Sequence, residues 1–251
     1  MKVFLTGASS GIGEALAREY AARGATLGLV ARREDLLARL AASLPGPSAT
    51  YTADVRDLAA MRAAGADFIA RHGVPDVVIA NAGVSHGTLT EFAEDVEVFR
   101  QIMDINVMGI VNTFHPFVAP MRARGSGSLV GIASVAGYRG IPGAAAYSAS
   151  KAAAIRYCES LRVELRASGV KVTAICPGYI ATPMTEKNPY PMPFIIPAAD
   201  FARRCARAID SRTSQAVIPW QMAIVARLLT VTPNWLYDFA LSRAGRKPRK
   251  S

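Results

Sequence analysis

The chain has 251 residues and a hydrophobic fraction of 51%, enough for one large α/β domain with a substantial core. No apolar run reaches the roughly 20 residues of a membrane-spanning helix. The N-terminus, MKVFLTGASSG, lacks a signal-peptide h-region, and Cys158, Cys176 and Cys205 are too widely spaced for a disulfide framework or a metal site, so a reducing cytoplasm is expected. The formal net charge is +10; part of it sits in the tail at Arg243, Arg246, Lys247, Arg249 and Lys250, and the rest is scattered without interleaved aromatics, which argues against a nucleic-acid partner.

In chain order, residues 3–5 predict a short strand that runs into TGASSGIG at 6–13 and then a helical pattern. Gly7 suits a tight turn, Gly11 a close approach of backbone to a pyrophosphate, and Gly13 the packing of helix on strand. The helix N-terminus would offer N–H groups and a positive dipole end to phosphates. Residues 26–31 predict a second strand. Its end carries Ala31 where an acidic residue would bind the ribose 2′-hydroxyl of NAD, and then Arg32 and Arg33, whose guanidinium groups suit a 2′-phosphate. NADP is therefore expected over NAD.

Residues 36–43 predict a helix and 50–53 a third strand ending at Asp54-Val55, where Asp54 suits either an adenine amino group or the N-cap of the next helix. A fourth strand over 76–80 closes on Asn81-Ala82-Gly83. A mobile loop is expected over 85–91, then a long helix over 96–121 with Asn106 and Gly109 in its interior, where a buried amide implies a polar network. A fifth strand over 126–133 delivers Ser134. Thirteen residues later stands Tyr147, with Lys151 one helical turn further on the same face. A phenol beside an ammonium is stabilised as phenolate, which suits acid/base work at a carbonyl or alcohol. A sixth strand over 170–175 ends in Pro177-Gly178. Alternating strands and helices predict a doubly wound parallel sheet, with the singled-out residues at strand carboxyl ends.

Together these motifs resemble the short-chain dehydrogenase/reductase family over about residues 1–183: TGASSGIG at 6–13, Asp54-Val55, ANAG at 80–83, Asn106, Ser134, YSASK at 147–151 and PGYIATPM at 177–184. Ala80 departs from the asparagine many members carry there. The resemblance implies a Rossmann-like sheet of about seven strands in order 3-2-1-4-5-6-7, residues 215–218 being the seventh. It implies that Tyr147 donates and accepts the proton, that Lys151 lowers its pKa and bonds the nicotinamide ribose, that Ser134 polarises the carbonyl, and that Asn106 holds a water in a proton relay. Cofactor contacts are implied for Gly7, Ser9, Ser10, Gly11, Ile12 and Gly13, for Arg32, Arg33, Asp54 and Val55, and for Asn81, Ala82 and Gly83. Pro177 and Gly178 complete the set, with Ile180 and Thr182 at the carboxamide. The expected function is hydride transfer between NADP(H) and the carbonyl or alcohol of a small, hydrophobic molecule. A dinucleotide-binding regulator on the same fold is the alternative.

Prolines 183, 189, 191, 193 and 197 predict a lid over 184–199, with Met184, Tyr190, Met192, Phe194 and Ile195 as apolar pocket candidates and His86 and Tyr138 as further walls. The C-terminal extension, 219–251, reads as two apolar helices and a basic tail. It lacks the ending common in the family, which weakens transfer of the common tetramer, although a homo-oligomer is expected. A cover for the cleft, a subunit interface and peripheral membrane contact are the readings it allows. Residues 1–251 are expected to form one catalytic domain.

Overall fold

The first apolar run becomes β1 (Lys2–Thr6), buried from Val3 onward because every one of its faces meets protein. The computed structural model describes residues 1–251 except 187, 243, 244, 246, 250 and 251, so Arg243, Arg246 and Lys250 of the expected basic tail lie outside the described residues. After β1 the chain forms α1 (Gly11–Ala22), β2 (Thr26–Ala31), α2 (Glu34–Ser43), β3 (Ser48–Thr52), α3 (Leu58–His72) and β4 (Val77–Ala80). Then come α4 (Ala93–Met103), α5 (Gly109–Arg124), β5 (Gly127–Ile132), α6 (Ala145–Glu164) and β6 (Val170–Pro177). The short β7 (Ile180–Ala181) and β8 (Ile196–Pro197) pair with each other and precede α7 (Ala198–Asp210), β9 (Gln215–Ile218), α8 (Gln221–Val231) and α9 (Asn234–Leu241).

The main sheet has seven parallel strands in order β3-β2-β1-β4-β5-β6-β9, the order expected with β9 as seventh strand. One face is covered by α1, α2 and α7, burying Leu16, Tyr20, Phe201 and Cys205. The other is covered by α3, α5 and α6, with Phe4 4.7 Å from Phe117 and 5.5 Å from Phe68, ring centre to ring centre. Strand order reverses between β1 and its neighbours β2 and β4. The crevice that this reversal opens at the carboxyl ends is where the candidate residues gather.

Four expectations change. The long helix is not uniform: α4 and α5 are joined by a π-helical turn, Asp104–Met108, with fully buried Asn106 at its centre. Asp54 does not cap α3; Asp57 does, accepting from Ala60 N–H at 3.0 Å, because it stands next to the first helical residue. The loop over 85–91 is tied down. Gly87 N–H donates to Pro248 carbonyl at 3.0 Å, Thr88 N–H to Gly143 carbonyl at 3.1 Å, and Leu89 N–H to Asp95 at 2.7 Å. Lys247 and Arg249 of the tail turn onto the protein: Arg249 pairs with Glu94 and Asp95 at 2.8 Å each and lies 3.6 Å from the centre of the Phe92 ring.

Helices α8 and α9 sit beside the turn that follows β5. Arg139 fixes them there, donating to the carbonyls of Leu229 at 2.7 Å and Thr232 and to Asn234 Oδ1 at 2.8 Å, with its guanidinium over the Tyr237 ring. Met222 and Ala226 are the buried residues of α8, and none of α9 is buried. No helix among the described residues is long and apolar enough to cross a membrane.

Candidate active site

The loop between β1 and α1 is shaped by two close approaches. Gly7 has φ +68°, and a Cβ there would lie 2.8 Å from Ala82 Cα and from Asn81 Nδ2. A Cβ on Gly13 would lie 2.0 Å from Gly7 carbonyl oxygen, so only glycine lets the first turn of α1 settle on the loop. Asn81 holds this loop to β4: its side-chain amide donates to the carbonyls of Thr6 (3.0 Å) and Gly7 (3.3 Å). Thr6, which the sequence reading passed over, is the hub, its hydroxyl accepting from the backbone N–H of Asn81 and Ala82. Ser10 precedes α1 in an extended conformation without a side-chain cap, which leaves the helix N–H groups turned to the crevice.

At the ends of β2 and β3, Arg33 donates to Ser9 Oγ (3.1 Å) and Ser10 Oγ (2.8 Å). Arg32 stands 3.7 Å from Asp54, and Arg56 grips Asp54 with two guanidinium nitrogens. The Arg56 guanidinium holds the Asp54 carboxyl below its usual range. Arg56 is a third guanidinium at this end of the crevice, and it was hidden in the sequence because it follows Asp54 as an ordinary loop charge.

At the other end, β5 delivers Ser134, whose hydroxyl accepts from Ala136 N–H at 3.1 Å and thereby caps a short 3₁₀ turn, Val135–Gly137. Tyr147 and Lys151 share one face of α6. Lys151 Nζ is 5.7 Å from the Tyr147 ring centre and donates to Ile132 carbonyl at 2.8 Å. Burial raises the Tyr147 phenol, partly offset by hydrogen bonding from Ser134, and lowers Lys151 to about 8. That direction is the reverse of the one expected for the tyrosine, because burial of the phenol outweighs the hydrogen bond from Ser134.

Asn106 is the one predicted catalytic or cofactor residue that does not line the crevice. Its amide is spent on Val84, accepting from N–H at 2.8 Å and donating to the carbonyl at 3.0 Å, and on Ser150 Oγ at 3.0 Å. Its side chain thus joins the loop following β4 to α6 and makes no hydrogen bond to Lys151. Every other predicted cofactor or catalytic residue lines a single crevice of about 340 Å³: the Gly7–Gly13 loop with Ser9, Ser10, Gly11 and Ile12, then Arg32, Arg33, Asp54, Val55, Asn81, Ala82 and Gly83, then Ser134, Tyr147, Lys151, Pro177, Gly178, Ile180 and Thr182.

The proline-rich segment contributes less than expected. Met184 lines the crevice and Tyr190 packs near Tyr179, whereas Phe194 and Ile195 are exposed. Tyr138 accepts from Gln215 at 2.8 Å and packs toward α8, away from the crevice lining. His86 does not line it either.

The comparisons agree with this geometry. A family profile described as short chain dehydrogenase matches residues 1–191. An uncharacterized oxidoreductase of Myxococcus xanthus is 38% identical over 244 residues, covering 95% of both chains. A protein of Arabidopsis thaliana named 11-beta-hydroxysteroid dehydrogenase-like 2 is 37% identical over 82% of this chain and 68% of its own. The crystal structure of a short-chain dehydrogenase from Streptomyces avermitilis superposes with a TM-score of 0.81 at 29% identity, covering 96% of this chain and 97% of the other.

Proposed function

This chain belongs to the short-chain dehydrogenase family of NAD(P)-dependent oxidoreductases, and on that premise we propose that it moves hydride between NADP(H) and a carbonyl or alcohol on a hydrophobic substrate. The observation that carries this reading is the single crevice with the Gly7–Gly13 loop and Arg33 at one end and Ser134, Tyr147 and Lys151 at the other.

The residues fit a dinucleotide. The cradle at Gly7 and Gly13 is one that any Cβ would fill, and the uncapped start of α1 suits a pyrophosphate. Arg33, drawn onto Ser9 and Ser10, and Arg32 beside it favour a 2′-phosphate at the end of β2, where Ala31 offers no carboxylate to a 2′-hydroxyl. Asp54 and Val55 would flank the adenine, Asn81 to Gly83 the central part, and Ile180 and Thr182 the carboxamide. NADP(H), when bound, supplies or removes the hydride.

The protein's own groups then do the rest. Ser134 donates to the carbonyl oxygen where negative charge develops. Tyr147 gives that oxygen its proton, and Lys151, one turn away, returns the charge balance. For an alcohol the same groups run in reverse. Asn106 acts as a positioning residue, holding the backbone beyond β4 against α6. The name of the Arabidopsis relative supports a hydrophobic substrate.

We read residues 1–251 as one catalytic domain working in the cytoplasm, with 184–199 as the cover on the substrate side. The exposed row of Trp220, just before α8, with Ile224, Leu228, Val231, Trp235 and Phe239 on α8 and α9 supports contact between copies of the chain. Peripheral membrane contact is the competing use of that row, weakened because Lys247 and Arg249 face the protein. Sedimentation with and without anionic vesicles separates the two: a monomer that does not pellet with lipid rejects both.

The test of function is NADPH and NADH oxidation against aliphatic, aromatic and steroid-like ketones. A rate with Tyr147→Phe lower by about 10²–10⁴ supports the assignment. Unchanged turnover in that variant overturns it.

A further inference from the structure

The tail returns to the site at Tyr147. Lys247 Nζ lies 5.9 Å from the Tyr147 ring centre and donates to Ser85 Oγ at 2.8 Å, one residue beyond crevice-lining Val84. The position is built. Gly87 accommodates the strap so closely that a Cβ would lie 2.3 Å from Lys247 carbonyl oxygen and 2.6 Å from that of Pro248. Arg249 anchors the next residue by its pairs with Glu94 and with Asp95, itself 2% exposed. A Cβ on Gly245 would lie 3.6 Å from Tyr190 Cβ. The two nearby carboxylates are thus consumed by Arg249, and Lys247, half-buried, has no carboxylate partner among the described residues. Desolvation lowers its pKa, as for a cation without a counter-ion.

We infer that Lys247 is a specificity-determining residue that receives an anionic group, a carboxylate or a phosphate, carried by the substrate a few bonds from its reacting carbonyl. This rests on the oxidoreductase reading above and narrows its substrate: an apolar body with one negative charge near the carbonyl. Lys247 Nζ is about as far from the Tyr147 ring centre, 5.9 Å, as Lys151 Nζ, 5.7 Å, so a carbonyl held by Ser134 and Tyr147 would have the strap's ammonium near its own substituent. Ser85 orients the ammonium, and the backbone pairing of Gly87 with Pro248 keeps the strap in register.

The test uses the full chain with NADPH and two matched pairs of probes, benzoylformate and 3-benzoylpropionate against their methyl esters. The wild type is expected to favour at least one acid in kcat/KM. Lys247→Gln should reduce the acid-to-ester ratio about tenfold or more, the scale of a charge-assisted hydrogen bond, and Lys247→Glu should reduce it further. Arg249→Ala, which frees the strap without touching Lys247, should lower the same ratio. A wild type without acid preference, or equal losses for acid and ester, overturns the inference, since a role in folding or in tuning Tyr147 would affect both probes alike. Calorimetric binding of the same probes separates this from the catalytic reading. Acid-selective binding lost in Lys247→Gln, without turnover of any carbonyl, sinks the oxidoreductase assignment and leaves the anion site standing.

Discussion

Lys151 Nζ donates to the Ile132 carbonyl at 2.8 Å, which parks the ammonium between β5 and the Tyr147 face of α6. Burial there lowers its pKa to about 8. The two thiols that act on Lys151, Cys176 and Cys158, are both pushed up by burial, Cys158 to about 12. A lysine depressed in the fold binds fewer protons than in the unfolded chain between about pH 8 and 10.4, so stability rises with pH across that window. Urea denaturation of the wild type against Lys151→Met should show this extra gain, on the order of 3 kcal/mol at full extent. In the same enzyme, carbonyl reduction should decline above about pH 8, where the ammonium that supports Tyr147 is lost.

Arg33 bridges the end of β2 to the loop after β1 through Ser9 and Ser10. Arg33→Ala should therefore raise the KM for NADPH about 10- to 100-fold, from the 1.5–3 kcal/mol typical of a charged hydrogen bond, with a much smaller change for NADH. Equal losses for both cofactors would assign Arg33 to loop structure alone.

Gly13→Ala places a methyl 2.0 Å from the Gly7 carbonyl oxygen. The loop must open to accept it, and dinucleotide binding measured by nicotinamide fluorescence should fall below detection. The effect should exceed that of Gly140→Ala, where the space is open.

Asn106→Leu removes three hydrogen bonds and strands the half-buried Val84 N–H. A loss of about 1–3 kcal/mol in denaturation is expected for that orphaned donor. As a positioning residue it should also lower kcat more than it raises KM, which Asn106→Asp, able to accept from Val84, should partly restore.

Asp57→Ala removes the cap of α3 and should cost about 1 kcal/mol with kinetics unaltered, whereas Asp54→Ala should act on cofactor affinity, because its carboxylate is gripped by Arg56 at the crevice.

The order of strands, the crevice at their carboxyl ends and its glycine, arginine, serine, tyrosine and lysine side were legible in the sequence. Their causes are local: apolar runs set the buried parallel strands, glycines mark where backbone must come close, and a four-residue spacing puts Tyr147 and Lys151 on one helix face. Asp57 against Asp54 as the cap of α3 was decided by where the helix starts, a boundary that two acids three residues apart leave ambiguous. Only the tertiary structure decided what depends on partners distant in sequence. It spent Asn106 on Val84 and Ser150, gave Lys151 a lowered pKa through burial, and brought Lys247 back across some hundred residues to Tyr147. Composition counts the tail's charges but carries no record of which carboxylates will face them. Arg249 meets Glu94 and Asp95 because α4 and the strap converge over α6, and that convergence leaves Lys247 beside the reacting tyrosine with its charge unmet.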